Sequence, residues 1–345
     1  MLNRVAYMTG LRDMELRTGE IPVPQDHEVL VKLEYVGICG SDVHYYESGR
    51  IGSFVVEGDF ILGHECAGTI TAVGSAVRHL KVGDRVALEP GLTCGQCEFC
   101  KSGRYNLCPE VRFLATPPIH GCLSDYIAYP ADMAFKLPDR VSTREGALVE
   151  PLAVGLHAAS QGQVKLGDRV VILGAGAIGL MTLLACRAYG ALETIVVDVI
   201  ENRLEFAKKL GATRVVHARQ EDVAAVVAAC TDGQGMDVVI ETAGSETTIK
   251  QTPYLVKRGG SIVLVGFAPK DIIEYDFMQI LLKEARIESV FRYRNLFPPA
   301  IGALADGRID VKPMITHEFT FEDSKQAFDF VIENKNEVVK ALIKL

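Results

Sequence analysis

The sequence predicts an α/β chain of two domains, a β-rich one followed by a doubly wound parallel sheet. Three observations lead there. At 345 residues the chain is too long for one ordinary core. Up to about residue 150 it runs in short β-rich segments divided by Gly, Pro and Asp, the spacing of a small barrel or sandwich with long loops. From about residue 168 apolar runs alternate with helical segments, the rhythm of a parallel sheet covered by helices.

In the first part, strands are expected over 29–36, 67–73 and 84–88. In the second, a strand over 169–173 leads through a glycine loop into a helix ending near Tyr189 and Gly190. A strand over 194–198 precedes an amphipathic helix carrying Leu204, Ala207 and Leu210 on one face, closed by Gly211. A third strand fits 214–217, and the apolar runs 238–240 and 261–265 suit buried parallel strands. The tail from about residue 290 ends in a helix over 322–333 and a strand over 338–343, and is expected to pack back onto the first domain. No internal repeat or low-complexity segment is present.

Hydrophobic residues make up 48% and charged residues 23%, an ordinary globular balance. A formal net charge of -8 without a long basic run argues against a nucleic-acid partner, because phosphate binding needs concentrated positive surface. Nine cysteines, an odd number in a long chain whose first residues hold no apolar signal core, read as metal ligands rather than a disulfide framework. The uncharged stretch 170–186 carries Gly174, Gly176 and Gly179 and stops at Arg187, so it reads as a strand running into a buried helix and not as a membrane span. A soluble, cytoplasmic protein is expected.

Gly174-Ala175-Gly176-Ala177-Ile178-Gly179 fits G-x-G-x-x-G. Its glycines permit a tight turn, a close approach of backbone to pyrophosphate, and tight helix–strand contact, while the N–H groups at the helix start face the phosphates. The pattern alone is weak; a strand before it, a helix after it and Asp198, 24 residues beyond Gly174, strengthen it. A carboxylate at Asp198 accepts hydrogen bonds from a ribose diol and repels a 2′-phosphate, so NAD is expected over NADP. Arg203 nearby is a guanidinium that could take such a phosphate.

Cys94, Cys97, Cys100 and Cys108 have the spacing C-x2-C-x2-C-x7-C, interleaved with Gly95, Glu98, Lys101 and Gly103. Four thiols so close in a polar setting suit a closed, structural zinc site better than a cluster of small buried hydrophobes. Cys39, His64 and Glu65 suggest a second site in which thiolate, imidazole and carboxylate leave one position open for a water or alcohol oxygen. Taken singly, Cys39 would be a core thiol and His64 a satisfied interior histidine.

The run Gly63-His64-Glu65-x-x-Gly68-x5-Gly74-x-x-Val77 resembles the zinc signature of the medium-chain alcohol dehydrogenases. The segments GICGSDVHYYESGRIG (37–52), EPGLTCGQCEFCKSGRYNLCP (89–109), FLATPP (113–118), ALVEPLAVGLHA (147–158) and VFRYRN (290–295) are similar to the polyol branch, the sorbitol and xylitol dehydrogenases. The likeness runs over essentially the whole chain. It implies a GroES-like catalytic domain over 1–152 and 291–345, with a Rossmann NAD-binding domain inserted over 153–290. It implies a catalytic zinc on Cys39, His64 and Glu65 with water in the fourth position. Glu150 stands where simpler members have a cysteine ligand, either on the metal or on its water; the sequence does not rank Glu65 against Glu150. Some members of the branch lack the four-cysteine site. This chain keeps it, so two zinc ions per subunit are expected.

The resemblance further implies a proton relay through Ser41 and His44, with Asp42 orienting the ligand histidine and Glu150 as a competing base. Substrate hydroxyls would meet Tyr45, Glu150, Arg292 and Tyr293. Cofactor contacts are expected at Gly174, Gly176, Ile178, Gly179, Asp198, Arg203, Val265, Gly266, Phe267, Val290, Phe291 and Arg292. A homotetramer is the family expectation. The activity so implied is NAD-linked oxidation of a secondary hydroxyl of a polyol, and the reverse reduction of the ketose. A dehydrogenase of L-threonine or butanediol type is the alternative, and a cofactor-binding protein without turnover is a third reading.

Overall fold

Eleven residues, Glu28–Ile38, form the strand around which the first part of the chain is organised. Val29, Val31 and Leu33 alternate inward at full burial, as a strand with one core-facing side requires. One edge pairs antiparallel with Glu65–Val73. The other edge is shared, Tyr126–Pro130 taking residues 28–32 and the C-terminal strand Lys340–Lys344 taking residues 35–38. Arg85–Leu88 and Ala134–Lys136 extend one side, and Ile315–Thr320 the other, to give seven strands. At Gly68 a Cβ would collide with the Lys32 carbonyl, so the central strands approach as they do because this residue is glycine.

Cys39 ends the long strand and, in extended conformation, caps the helix Gly40–Ser48, which stops at left-handed Gly49 (φ 72°). The buried Tyr46 ring packs on Phe328, and its hydroxyl donates to Asp329 Oδ1 at 3.1 Å. These contacts fasten the helix to the tail helix Ser324–Glu333.

The structure is a computed structural model that describes residues 2–268 and 270–345. It has two compact units: Met1–Glu150 with Phe297–Gly307 and Met314–Leu345, and Pro151–Leu296 with Arg308–Pro313. The second unit carries six parallel strands in the order Arg214–His217, Glu193–Asp198, Arg169–Leu173, Met236–Glu241, Val256–Leu264, Arg286–Ser289. Counted along the unit this is 3-2-1-4-5-6, the doubly wound nucleotide-binding order. Val170, Val171, Ile172 and Leu173 are all fully buried, which a central strand covered on both faces demands. The fold class read from the sequence is the one observed.

Boundaries differ from expectation where side chains cap rather than extend. Asp84 lies outside the strand: its carboxylate accepts the Lys81 N–H at 3.0 Å and pairs with Lys136 at 2.6 Å. The expected helix over 322–333 begins as a 3-10 turn, Phe321–Asp323, and becomes α-helical at Ser324. The last strand runs Lys340–Lys344, shifted from 338–343 by the register that joins it to residues 35–38. The run 170–186 resolves into the strand Arg169–Leu173 and the helix Ala177–Ala188. Among the described residues no helix is long and apolar enough to cross a membrane.

Candidate active site and metal centres

The strand pair Glu28–Ile38 and Glu65–Val73 sets Gly37 opposite Glu65. This places Cys39, two residues on, beside His64 and Glu65. Ligand atoms of Cys39, His64 and Glu65 all lie within 4.8 Å of one another, with His64 and Glu65 buried. Asp42, fully buried on the helix that Cys39 caps, accepts the Cys39 N–H at 3.2 Å and the Gly63 N–H at 3.0 Å. Its Oδ1 stands 3.4 Å from His64 Nδ1, a contact of the kind that orients a ligating imidazole. Phe113 packs against the other side of the imidazole, ring centroids 5.6 Å apart.

The cluster is a trap for positive charge. Burial alone disfavours an imidazolium at His64, yet Asp42 and Cys39 outweigh it and push its pKa well above the ordinary value. A divalent cation would satisfy the same field, and the donor set of sulfur, nitrogen and carboxylate oxygen suits zinc with an open position. Glu65, 0% exposed, is held by Lys340, whose Nζ lies 2.7 and 2.8 Å from the two carboxylate oxygens and 3.2 Å from the Ile38 carbonyl. Burial also works against the Lys340 ammonium, but Glu65, Cys39 and Glu150 outweigh it and raise its pKa. Glu150, in the first turn of the helix Val149–Gln161, is buried within the same field.

Ser41 and His44 are three residues apart on the helix Gly40–Ser48 and so share a face; Ser41 is half-buried and His44 exposed. Tyr45 is buried next to Phe60, ring centroids 6.3 Å apart.

The four-cysteine segment closes on itself. Sγ–Sγ distances are 3.6 Å for Cys94–Cys108, 3.5 Å for Cys97–Cys100 and 4.0 Å for Cys94–Cys100. A tetrahedron with Zn–S arms of about 2.3 Å has edges of roughly 3.8 Å, so the thiols already stand at zinc-binding separations. Backbone N–H groups of Cys97, Cys100 and Cys94 point at Cys94, Cys97 and Cys108 sulfurs, respectively. The amides of Gln96 and Cys97 draw Cys94 down to about 7. Burial pushes Cys108 up.

In the second unit the glycines divide the work of the loop. Gly174 has φ 105°, Gly176 caps the helix with open space where a Cβ would stand, and a Cβ at Gly179 would collide with the Gly174 carbonyl. Turn, approach and packing are thus separately visible. Asp198, at the end of its strand, accepts from Ala175 N at 2.7 Å, Val199 N at 2.7 Å and Ile200 N at 3.0 Å, with Arg203 at 4.0 Å. Its carboxylate therefore ties the second strand to the glycine loop and keeps acceptor capacity. Ile178 lies in the first helical turn. Val265, Gly266 and Phe267 follow the strand Val256–Leu264, while Val290, Phe291 and Arg292 follow Arg286–Ser289. Because the strands are parallel, all these residues gather at one edge of the sheet, where ligands bind in such folds. Arg292 is left-handed (φ 58°), with its guanidinium 4.8 Å from the Phe291 ring centroid, and Tyr293 is buried.

Two residues of these sites escaped the sequence reading. Glu241, fully buried at the end of its strand, accepts the Ala243 and Gly244 N–H groups and the Thr248 hydroxyl, organising the loop beside Gly174. Lys340 was the more legible of the two: it interrupts the apolar run Val338-Val339-Lys340-Ala341-Leu342-Ile343. A charge inside an otherwise buried strand calls for a buried partner.

Two family models match the chain: the alcohol dehydrogenase GroES-like domain over residues 25–139 and the zinc-binding dehydrogenase over residues 177–306. An uncharacterised zinc-type alcohol dehydrogenase-like protein of Escherichia coli is 50% identical, covering 100% of this chain and 99% of its own. Sorbitol dehydrogenase of Bacillus subtilis is 44% identical over 99% of this chain and 96% of its own. The crystal structure of an Escherichia coli oxidoreductase/dehydrogenase of unknown specificity superimposes with a TM-score of 0.96 at 49% identity, covering 100% of this chain and 99% of that one. The protein is thus an oxidoreductase of the kind that works with zinc and a nicotinamide cofactor. With the glycine loop, the open three-ligand cluster and the four-thiol lobe, these matches make the chain a member of the medium-chain zinc-dependent alcohol dehydrogenases, in their polyol branch.

Proposed function

We propose that the chain is an NAD-linked dehydrogenase of sorbitol- or xylitol-type polyols, oxidising a secondary hydroxyl to the ketose and running in reverse as a ketose reductase. The observation that carries this reading is the convergence of Cys39, His64 and Glu65 within 4.8 Å, in a member of the polyol branch. Zinc held there, with Glu150 beside it, supplies stabilisation of negative charge on the substrate oxygen, and NAD supplies the hydride acceptor. Asp42 fixes the ring of His64. Ser41 and His44 move the substrate proton from the buried cluster toward solvent, and Glu150 is the competing base. Tyr45, Glu150, Arg292 and Tyr293 pair with the polyol hydroxyls, which disfavours ethanol because its single hydroxyl leaves most of those groups unpaired.

Asp198 receives the ribose diol, and Gly174, Gly176, Ile178, Gly179, Arg203, Val265, Gly266, Phe267, Val290, Phe291 and Arg292 complete the cofactor site. Cys94, Cys97, Cys100 and Cys108 hold a second, structural zinc. The catalytic domain is assigned to 1–152 and 291–345 and the cofactor domain to 153–290. Thiols reserved for metal suit a reducing cytoplasm. Self-association to a tetramer is supported by the edge strand Arg286–Ser289 and the exposed Phe277, Met278, Leu281, Leu282 and Ile287 near it in sequence.

The test is a panel of sorbitol, xylitol, galactitol and arabinitol against L-threonine, 2,3-butanediol and ethanol, followed by nicotinamide absorbance. Polyols should lead, with NAD favoured over NADP by about tenfold or more. A larger kcat/KM for ethanol, L-threonine or butanediol than for every polyol overturns the substrate assignment.

A further inference from the structure

Three neighbouring strands meet behind the candidate catalytic metal site. Leu342 of the C-terminal strand pairs with Gly37, and Gly37 pairs on its other side with Glu65. Lys340 lies two residues from Leu342 and so shares its face of the sheet with Gly37 and Glu65. Gly37 has no side chain, and a Cβ there would collide with Glu65 Oε2. Across that gap Lys340 reaches both oxygens of Glu65, at 2.7 and 2.8 Å, with the Ile38 carbonyl at 3.2 Å. Lysine is 3% exposed and glutamate 0%.

A lysine enclosed this way is seldom tolerated without a partner, and a glutamate enclosed this way needs a cation. Glu65 therefore has two claimants: the ammonium, which is always present, and a metal ion on the side of Cys39 and His64. We propose that Lys340 is a positioning residue that shares Glu65 with the metal, supporting the carboxylate when the site is empty and limiting its grip when the site is filled. The inference rests on Cys39, His64 and Glu65 being a zinc site. Two consequences have opposite signs. Removing the ammonium leaves a buried carboxylate uncompensated, which weakens the metal-free protein. It also removes a positive charge that repels the metal from beside its ligand, which strengthens metal binding. A residue needed only for packing would weaken both.

The experiment compares wild type, Lys340→Met, Lys340→Arg and the double variant Lys340→Met/Glu65→Gln. Zinc affinity is measured by chelator competition on the loaded protein, and melting temperature after chelator treatment. Lys340→Met should hold zinc about tenfold more tightly and melt lower when stripped. Lys340→Arg, which keeps the charge, should lie nearer wild type on both measures. The double variant should regain stripped-state stability, which keeps the test open if the single variant does not fold without metal. Weaker or unchanged zinc affinity in Lys340→Met overturns the proposal, as does a double variant that is no more stable than the single one. Cys39→Ser that still binds as much zinc as wild type would instead overturn the metal site itself.

Discussion

The two cysteine-bearing clusters of the first unit are built on opposite plans. Cys94, Cys97, Cys100 and Cys108 sit within fifteen residues, and their own backbone amides supply the sulfur contacts. Cys39 is a helix cap, and His64 and Glu65 stand at the start of a strand remote in sequence; they are braced by Asp42 from the next turn and Lys340 from near the end of the chain. The local cluster is little more than a loop, so its order would depend on an ion joining its thiols. The remote cluster is scaffolded by a seven-stranded sheet and can keep its shape while one coordination position stays open. Local assembly therefore suits a closed site, and distributed assembly an open one.

The largest expected effect separates the two by activity. Cys39→Ser should lower kcat/KM by about a thousandfold or more, roughly 4 kcal/mol of transition-state stabilisation, while the melting temperature stays close to wild type. A variant with a tenth of wild-type activity would remove the distinction. Next is Cys97→Ser, which should cost about 3 kcal/mol of stability, on the order of 10 °C in melting temperature. Mass spectrometry should find one zinc fewer per chain. Unchanged metal content would mean that the lobe is not a zinc site.

Legibility in the sequence followed the same divide. The four thiols were plain because three short spacings contain the whole site. Cys39 and His64-Glu65 were visible as types, but their meeting depends on the register that sets Gly37 against Glu65, which no short pattern encodes. Lys340, 275 positions from Glu65, arrives only through the pairing of the last strand with residues 35–38. In the second unit the central strand 169–173 and the edge strand 214–217 were read to the residue, because their Val-rich centres stand between turn residues. The sixth strand, Arg286–Ser289, escaped: two of its four residues are charged and it lies at the sheet edge. The helix Glu246–Leu255 escaped too, with Pro253 inside it and a polar first half.

Asp42→Asn sharpens the account of the remote cluster. The amide keeps the size of the carboxylate but loses the charge that faces His64 Nδ1. Zinc affinity at that site should fall about ten- to a hundredfold, roughly 1.4–2.7 kcal/mol, with the four-cysteine lobe unaffected. Equal loss of both metals would indicate general unfolding rather than a local effect.

The smallest effect concerns the junction between the two regions. Tyr105, lying between Cys100 and Cys108, donates to Glu89 Oε1 at 2.7 Å, and Glu89 follows directly on the strand Arg85–Leu88. Burial pushes the Glu89 carboxyl up to about 7, the tyrosine hydrogen bond only partly opposing it. An acid whose folded pKa is raised binds more protons folded than unfolded between about pH 4.5 and 7, so its contribution to stability declines as pH rises through that window. Thiolates holding zinc would act in the other direction, because acid protonates them and releases the metal. The raw pH profile mixes both, but the difference between wild type and Glu89→Gln isolates the carboxyl, since glutamine keeps an acceptor for Tyr105 and cannot ionise. Denaturant unfolding at pH 5.5 and pH 8 should show the variant gaining about 1–2 kcal/mol on wild type from the lower pH to the higher. Parallel profiles for the two proteins would mean that Glu89 does not titrate there, and that the lobe is joined to the sheet without a buried acid at the seam.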